Sequence, residues 1–226
     1  MRWGVLVGMV LVVLTGCGKD APSGVPSSGI SSCADRQVGP IAELSLNLDG
    51  SGPAETLAYD DGSGPCPGGP NLSARVDGHD ARAAFDAPGL RSADLHAVAV
   101  PGRPGDLALV VQFRPRGGFR PRLVGYADGE LAELTGPDGP IFDFVATDAP
   151  TRATRALCVP GGFVVTEAKP VGAVWDVDRT RYGVVGNEVA VGGTEPVAKG
   201  LTTAQLRDRF PAVVAQELFG NCRVDR

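Results

Sequence analysis

The chain has 226 residues, a formal net charge of −5 at neutral pH, 43% hydrophobic residues and 6% aromatic residues. That length supports one good hydrophobic core, and the acidic balance, with no basic run strong enough to track phosphates, argues against nucleic acid as a partner. The 32 glycines and 19 prolines favour many turns and short strands over long helices.

The first feature in chain order is an apolar run, Trp3 to Leu14, behind Arg2, closing on Leu14-Thr15-Gly16-Cys17. The run is shorter than the roughly 20 residues that a membrane-spanning helix needs, and its layout is that of a signal peptide. A cysteine placed directly after the small pair Thr15-Gly16 resembles the processing site of bacterial lipoproteins. That resemblance implies a diacylglyceryl group on the Cys17 sulfur, cleavage before it, and acylation, as by palmitate, of the new amino group. Residues 1–16 are then a leader, and the protein is extracytoplasmic and lipid-anchored at the cell membrane. More than one acyl chain is needed for a firm anchor, because each buried methylene contributes only about 0.8 kcal/mol. Residues 17–32 carry the lipid and a Gly-, Ser- and Pro-rich stretch with almost nothing to bury, which reads as a flexible tether. Residues 33–226 are left to form the folded domain.

With Cys17 taken by lipid, Cys33, Cys66, Cys158 and Cys222 remain. An even count in an exported chain points to two disulfides. Three pairings satisfy that count. Cys33–Cys66 with Cys158–Cys222 is favoured, because each bond closes the shorter available loop and ties down a chain end. Zinc ligation is not indicated, since no C-x-x-C pair exists.

Strand signals dominate the domain. Ile41 to Leu48 alternates, with Leu44, Leu46 and Leu48 on one face, and Asn71 to Val76 places Leu72, Ala74 and Val76 together. Leu95 to Val100, Leu107 to Phe113 and Phe163 to Thr166 are apolar and partly β-branched. Hairpins are predicted over Leu123 to Leu134 around Asp128-Gly129, and over Thr180 to Val191 around Gly186-Asn187, since such pairs supply the positive φ of tight turns. Near the C-terminus Thr202-Thr203-Ala204-Gln205 reads as a capping box, with Leu201 and Leu206 placed for a hydrophobic staple. That helix should stop by Phe210, ahead of Pro211. A second short turn of helix is expected to run on toward Phe219, with Cys222 pinning the tail.

Three stretches share a strand–turn–strand plan: Leu44 to Ala58, His96 to Leu109, and a shorter Ala156 to Val165. A period of about 50 residues suggests blades or stacked β units. The predicted fold is therefore all-β, an antiparallel meander that is propeller-like or an incomplete propeller, with a short C-terminal helix.

The first of these turns, Asn47 to Glu55, carries the one motif with metal chemistry in it. Oxygen-bearing residues alternate around Gly50 and Gly52, as a tight loop around a hard cation requires. The segment resembles the calcium loop D-x-D-G-D-G-x-x-D of FG-GAP and VCBS-type repeats, found in integrin α-subunit propellers and many bacterial surface proteins. The chain as a whole is similar in layout to actinobacterial VCBS-like lipoproteins. The resemblance implies calcium ligation by Asn47, Asp49, Ser51 and Glu55, with the Pro53 carbonyl. The family has aspartates where this chain has Asn47, Ser51 and Glu55, so the expected affinity is low, and the same residues also make an ordinary β-turn. The second copy keeps only Gly102, Gly105 and Asp106 of the pattern.

Other candidates are local. Arg114, Arg116, Arg120 and Arg122 surround Phe119 and form a basic run, expected as an exposed loop between two strands that could contact an envelope protein, anionic lipid or wall polymer but needs no such role. Asp176 and Asp178 fall on one side of a strand next to Trp175, a pair that could act on glycans. His79 reads as an exposed turn residue and His96 as a strand residue. The function expected from all this is a non-catalytic binding or accessory role in the cell envelope. The alternatives are a glycan-acting hydrolase using Asp176 and Asp178, and a purely structural envelope lipoprotein.

Overall fold

The computed structural model describes residues 39–63, 68–113, 119–136, 139–140 and 153–224. The leader, Cys17, the tether, the proposed Cys33–Cys66 pair, Arg114 and Arg116 lie outside the described residues. The fold is β throughout, with two short helices near the C-terminus.

Three antiparallel meanders follow one another along the chain. The first sheet has the order β1 (Ala42–Leu46), β2 (Glu55–Asp60), β3 (Asn71–Val76), β4 (His79–Ala84). The second runs β5 (Leu95–Val98), β6 (Leu107–Phe113), β7 (Phe119–Ala127), β8 (Glu130–Glu133), and the C-terminal β15 (Arg223–Val224) returns to pair with β5. The third runs β11 (Ala153–Val159), β12 (Gly162–Val171), β13 (Val174–Val185), β14 (Glu188–Leu201), extended beyond β14 by the short β9 (Thr135–Gly136) and β10 (Gly139–Pro140). The three stretches that share the strand–turn–strand plan are the first hairpins of the three sheets: β1–β2, β5–β6 and β11–β12.

The sheets pack against one another through two hydrophobic cores. β1 packs near β5 and β4 near β8, with Leu46, Leu57, Tyr59, Leu72 and Phe85 meeting Ala97, Val110 and Val124 in the first core. The opposite face of the second sheet, with Leu107, Leu109 and Leu123, meets Ala156, Phe163 and Val165 of the third. The second sheet is thus covered on both sides. This explains why Leu107 to Val110 are all apolar and all fully buried, where a half-exposed strand would alternate. Each such leucine contributes about 2 kcal/mol by leaving water.

The tail caps the third sheet. Helix α1 (Thr203–Arg209) begins with the predicted box: the Gln205 N–H donates to Thr202 Oγ1 at 3.2 Å and the Thr202 N–H donates to Gln205 Oε1 at 2.9 Å. Leu201 and Leu206 are buried together with Trp175, Val177 and Val213 of α2 (Pro211–Val214). The second helix is shorter than the sequence suggests. It ends at Val214, and Gln216 and Phe219 take positive φ, so the chain turns and residues 217–219 bond to β11 instead. The Cys158–Cys222 disulfide fastens this tail, as the favoured pairing has it.

Candidate functional site

The turn Asn47–Glu55 closes on itself. The Gly50 N–H donates to Asn47 Oδ1 at 2.8 Å and the Leu48 N–H to Glu55 Oε2 at 2.7 Å. The Ser51 N–H and hydroxyl donate to the two Asp49 carboxylate oxygens, each at 2.7 Å, and these bonds hold the Asp49 pKa below its ordinary value. Every side chain named for calcium is thus hydrogen-bonded within the turn. Asp106, the remnant acid of the second copy, is buried and accepts the Asn47 N–H at 2.9 Å, while its own N–H donates to the Asn47 carbonyl. Here the backbones touch: Gly105 has φ +72, and a Cβ on it would lie 2.0 Å from the Leu48 carbonyl oxygen. The third hairpin turn joins the stack, its Gly161 N–H donating to the Pro101 carbonyl at 2.8 Å. The three turns form a polar column that ties adjacent sheets together. Among the described residues no three His, Cys, Asp or Glu side chains gather where they could hold one metal ion.

Arg103 braces the same region. Its guanidinium donates to the carbonyls of Pro104, Gly105 and Tyr126 at 2.9, 2.8 and 3.2 Å, and burial lowers its pKa.

The described part of the basic run is strand. Phe119 pairs in register with Phe113, Arg120 with Gln112 and Arg122 with Val110. Phe119 packs against the core between the second and third sheets. Arg122 pairs with Glu133, donates to the Asp86 carbonyl at 2.8 Å and lies 3.6 Å over the Phe85 ring. The expectation of an exposed loop is therefore corrected at Phe119, Arg120 and Arg122, because cross-strand pairing continues through them. His79 is exposed as expected, but it opens β4, opposite Val76, and the turn itself is Asp77-Gly78, both with positive φ.

Asp176 and Asp178 share a face of β13, but Trp175 occupies the other, buried face. Asp176 Oδ1 accepts the Gly200 N–H at 2.9 Å and so secures β14 where Gly200 takes φ +66. That is a bracing role for one of the two carboxylates.

Two concave surfaces stand out: one of about 870 Å³ beside the turn, lined by Asp49, Arg103, Tyr126, Glu130 and Asn187, and one on the face of the third sheet that continues past the helices. On that sheet a register shift between β13 and β14 falls at Arg181/Tyr182, and residues 192–195 line one side of the hollow. The hollow has a volume of about 500 Å³. Register sets its lining: Arg155 lies opposite Thr166, Thr166 opposite Arg179, and Arg179 opposite Glu195. One row further along β12, Leu157, Val164 and Arg181 lie side by side. Arg179 Nη1 lies 3.4 Å from Glu195 Oε1, an exposed pair of little energetic weight. Arg155 Nε is 3.9 Å from Glu217 Oε2, too far for a hydrogen bond, and is shielded from water without a partner. Among the described residues the Arg181 side chain has no hydrogen-bond or ion-pair partner.

The arginine hollow did not figure among the sequence candidates. Arg179 and Arg181 were visible as a two-residue spacing that puts both on one face of a strand. Arg155 joins them only through strand pairing across β12. Among the described residues no helix is long and apolar enough to cross a membrane. In comparisons with known proteins the chain matches no family model, no curated protein and no solved structure.

Proposed function

We propose that this protein is a lipid-anchored, extracytoplasmic β domain that binds a component of the cell envelope as a non-catalytic or accessory protein. The observation that carries the binding role is the open hollow on the third sheet, a concave surface of ligand size lined by three arginines. The address is supported by the run into Cys17 and by the Cys158–Cys222 bond, since disulfides persist in oxidising compartments. A hollow on a β stack suits a module held near a surface, where the anchor supplies proximity and the hollow supplies selectivity.

The test separates the two parts. Wild-type protein should take up labelled palmitate and partition with detergent, and Cys17→Ala should do neither. The unlipidated Cys17→Ala protein should still sediment with isolated cell envelopes. Wild type without label refutes the anchor, and Cys17→Ala left in the supernatant refutes the binding role.

A further inference from the structure

We propose that the hollow on the third sheet binds a phosphate group carried on a small apolar body, with Arg155, Arg179 and Arg181 as the anion-holding residues. The inference rests on the reading of this hollow as the binding surface and names its ligand class.

Geometry comes first. Neighbouring strands lie about 4.8 Å apart and alternate residues along a strand about 7 Å apart. Arg155 and Arg179 therefore flank Thr166 across two strand spacings, and Arg181 stands one row along from Arg179. The three stems surround a floor made of Thr166 and Val164. Cross-strand cations in a sheet usually face an acid. Here the residues opposite are Thr166 and Val164; Arg179 reaches Glu195 across its other edge, Arg155 lies at ion-pair range of Glu217, and Arg181 reaches no acid among the described residues.

Charge selects the ligand. Three arginines against Glu195 and the Glu217 carboxylate beside Arg155 leave the hollow with a net positive charge, in a chain whose net charge is −5. A phosphate monoester carries about −1.5 to −2 near neutral pH and offers three strong acceptor oxygens. Its three oxygens can meet donors from more than one of the arginines at once, whereas a carboxylate offers only two. The planar guanidinium fork suits such an anion in bidentate contact. Arg155 Nε–H, shielded from water and without an acceptor, is a donor that such a ligand would satisfy.

Shape requires more than the anion. A volume of about 500 Å³ exceeds what a phosphate fills. Leu157, Val159 and Val164 supply apolar lining beside the arginines. Gly192 and Gly193 form the rim near Arg181 without side chains, which leaves an approach for the ligand body.

The test is calorimetric titration of the purified protein with phenyl phosphate, with benzyl alcohol as the neutral counterpart and inorganic phosphate as the bare anion. Phenyl phosphate should bind saturably and more tightly than inorganic phosphate, and benzyl alcohol should give no saturable heat. Arg179→Ala and Arg181→Ala should each weaken phenyl phosphate about tenfold, and Arg181→Lys less, because charge is kept while the fork is lost. Arg207→Ala, on the exposed side of α1, should change nothing. A short-chain phosphatidic acid below its micelle concentration resolves the source. Tighter binding than phenyl phosphate points to a membrane headgroup, and equal binding to a soluble phosphate ester; both uphold the site. No saturable binding by any phosphate, or binding that Arg179→Ala and Arg181→Ala leave intact, overturns it. If phosphates fail while the Cys17→Ala protein still sediments with envelopes, the ligand class is wrong and the binding role stands.

Discussion

The turn at Asn47–Glu55 and the hollow on the third sheet are both polar, both set by β hairpins, and arranged in opposite ways. In the turn Asn47, Asp49 and Glu55 each accept an N–H or hydroxyl of the same loop, and the neighbouring turn supplies Asp106 to accept the Asn47 N–H. In the hollow Arg181 has no partner among the described residues, Arg155 Nε has no acceptor, and Arg179 has one exposed acid. Polar groups that satisfy one another hold a fold together, whereas polar groups held apart on a rigid face are available to something else. Arg103 and Arg122 make a contrast within one residue type: the guanidinium of each donates to backbone carbonyls distant in sequence, at Tyr126 and Asp86.

This contrast predicts that changes at the turns cost stability while changes in the hollow cost binding. The largest effect should come from the bond that fastens the third sheet. Reducing Cys158–Cys222, which spans 64 residues, should lower stability by about 4 kcal/mol, read as a fall in denaturation midpoint with and without reductant. Gly105→Ala should follow at roughly 3 kcal/mol, from positive φ and the collision with Leu48, measured by urea unfolding. Glu55→Ala strips the Leu48 N–H of its acceptor and should cost about 1–2 kcal/mol in the same assay. The Asp49 carboxyl, held below its ordinary pKa by Ser51, should contribute stability above the usual aspartate value of about 3.9 and lose it as pH falls through the lowered value. Asp49→Asn should flatten that acid limb of a pH–stability curve. The smallest change is expected for Arg181→Ala, within about 0.5 kcal/mol of wild type, because its side chain touches no partner. A destabilisation at Arg181 as large as that at Glu55 would break the contrast.

Much of the scaffold was legible in the sequence. The limits of Asn71–Val76 and Leu107–Phe113 match β3 and β6, and both predicted hairpins form, with Asp128 and Gly129 at positive φ. These signals are local, since alternation and turn chemistry act within a few residues. The capping box and the Cys158–Cys222 pair were legible for related reasons. What escaped depends on register between distant strands. Arg155, Thr166 and Arg179 become neighbours only once β11, β12 and β13 align. Likewise Phe119 and Arg122 read as a loop because Gly117-Gly118 and two prolines suggest turns, yet pairing with β6 carries β7 out to Phe119. The Asp176 and Asp178 face was legible, but that Trp175 turns the other way, under α1 and α2, follows from helix docking.

One measurement bears most directly on the claim that the hollow, not the turn, is the binding surface. Unlipidated Cys17→Ala protein carrying either Arg179→Ala with Arg181→Ala, or Asp49→Asn with Ser51→Ala, would be sedimented with isolated envelopes beside its parent. The paired arginine changes should leave most of the protein in the supernatant with its melting temperature intact, while the turn changes should leave retention unchanged. Retention lost with the turn changes and kept without the arginines would contradict the account.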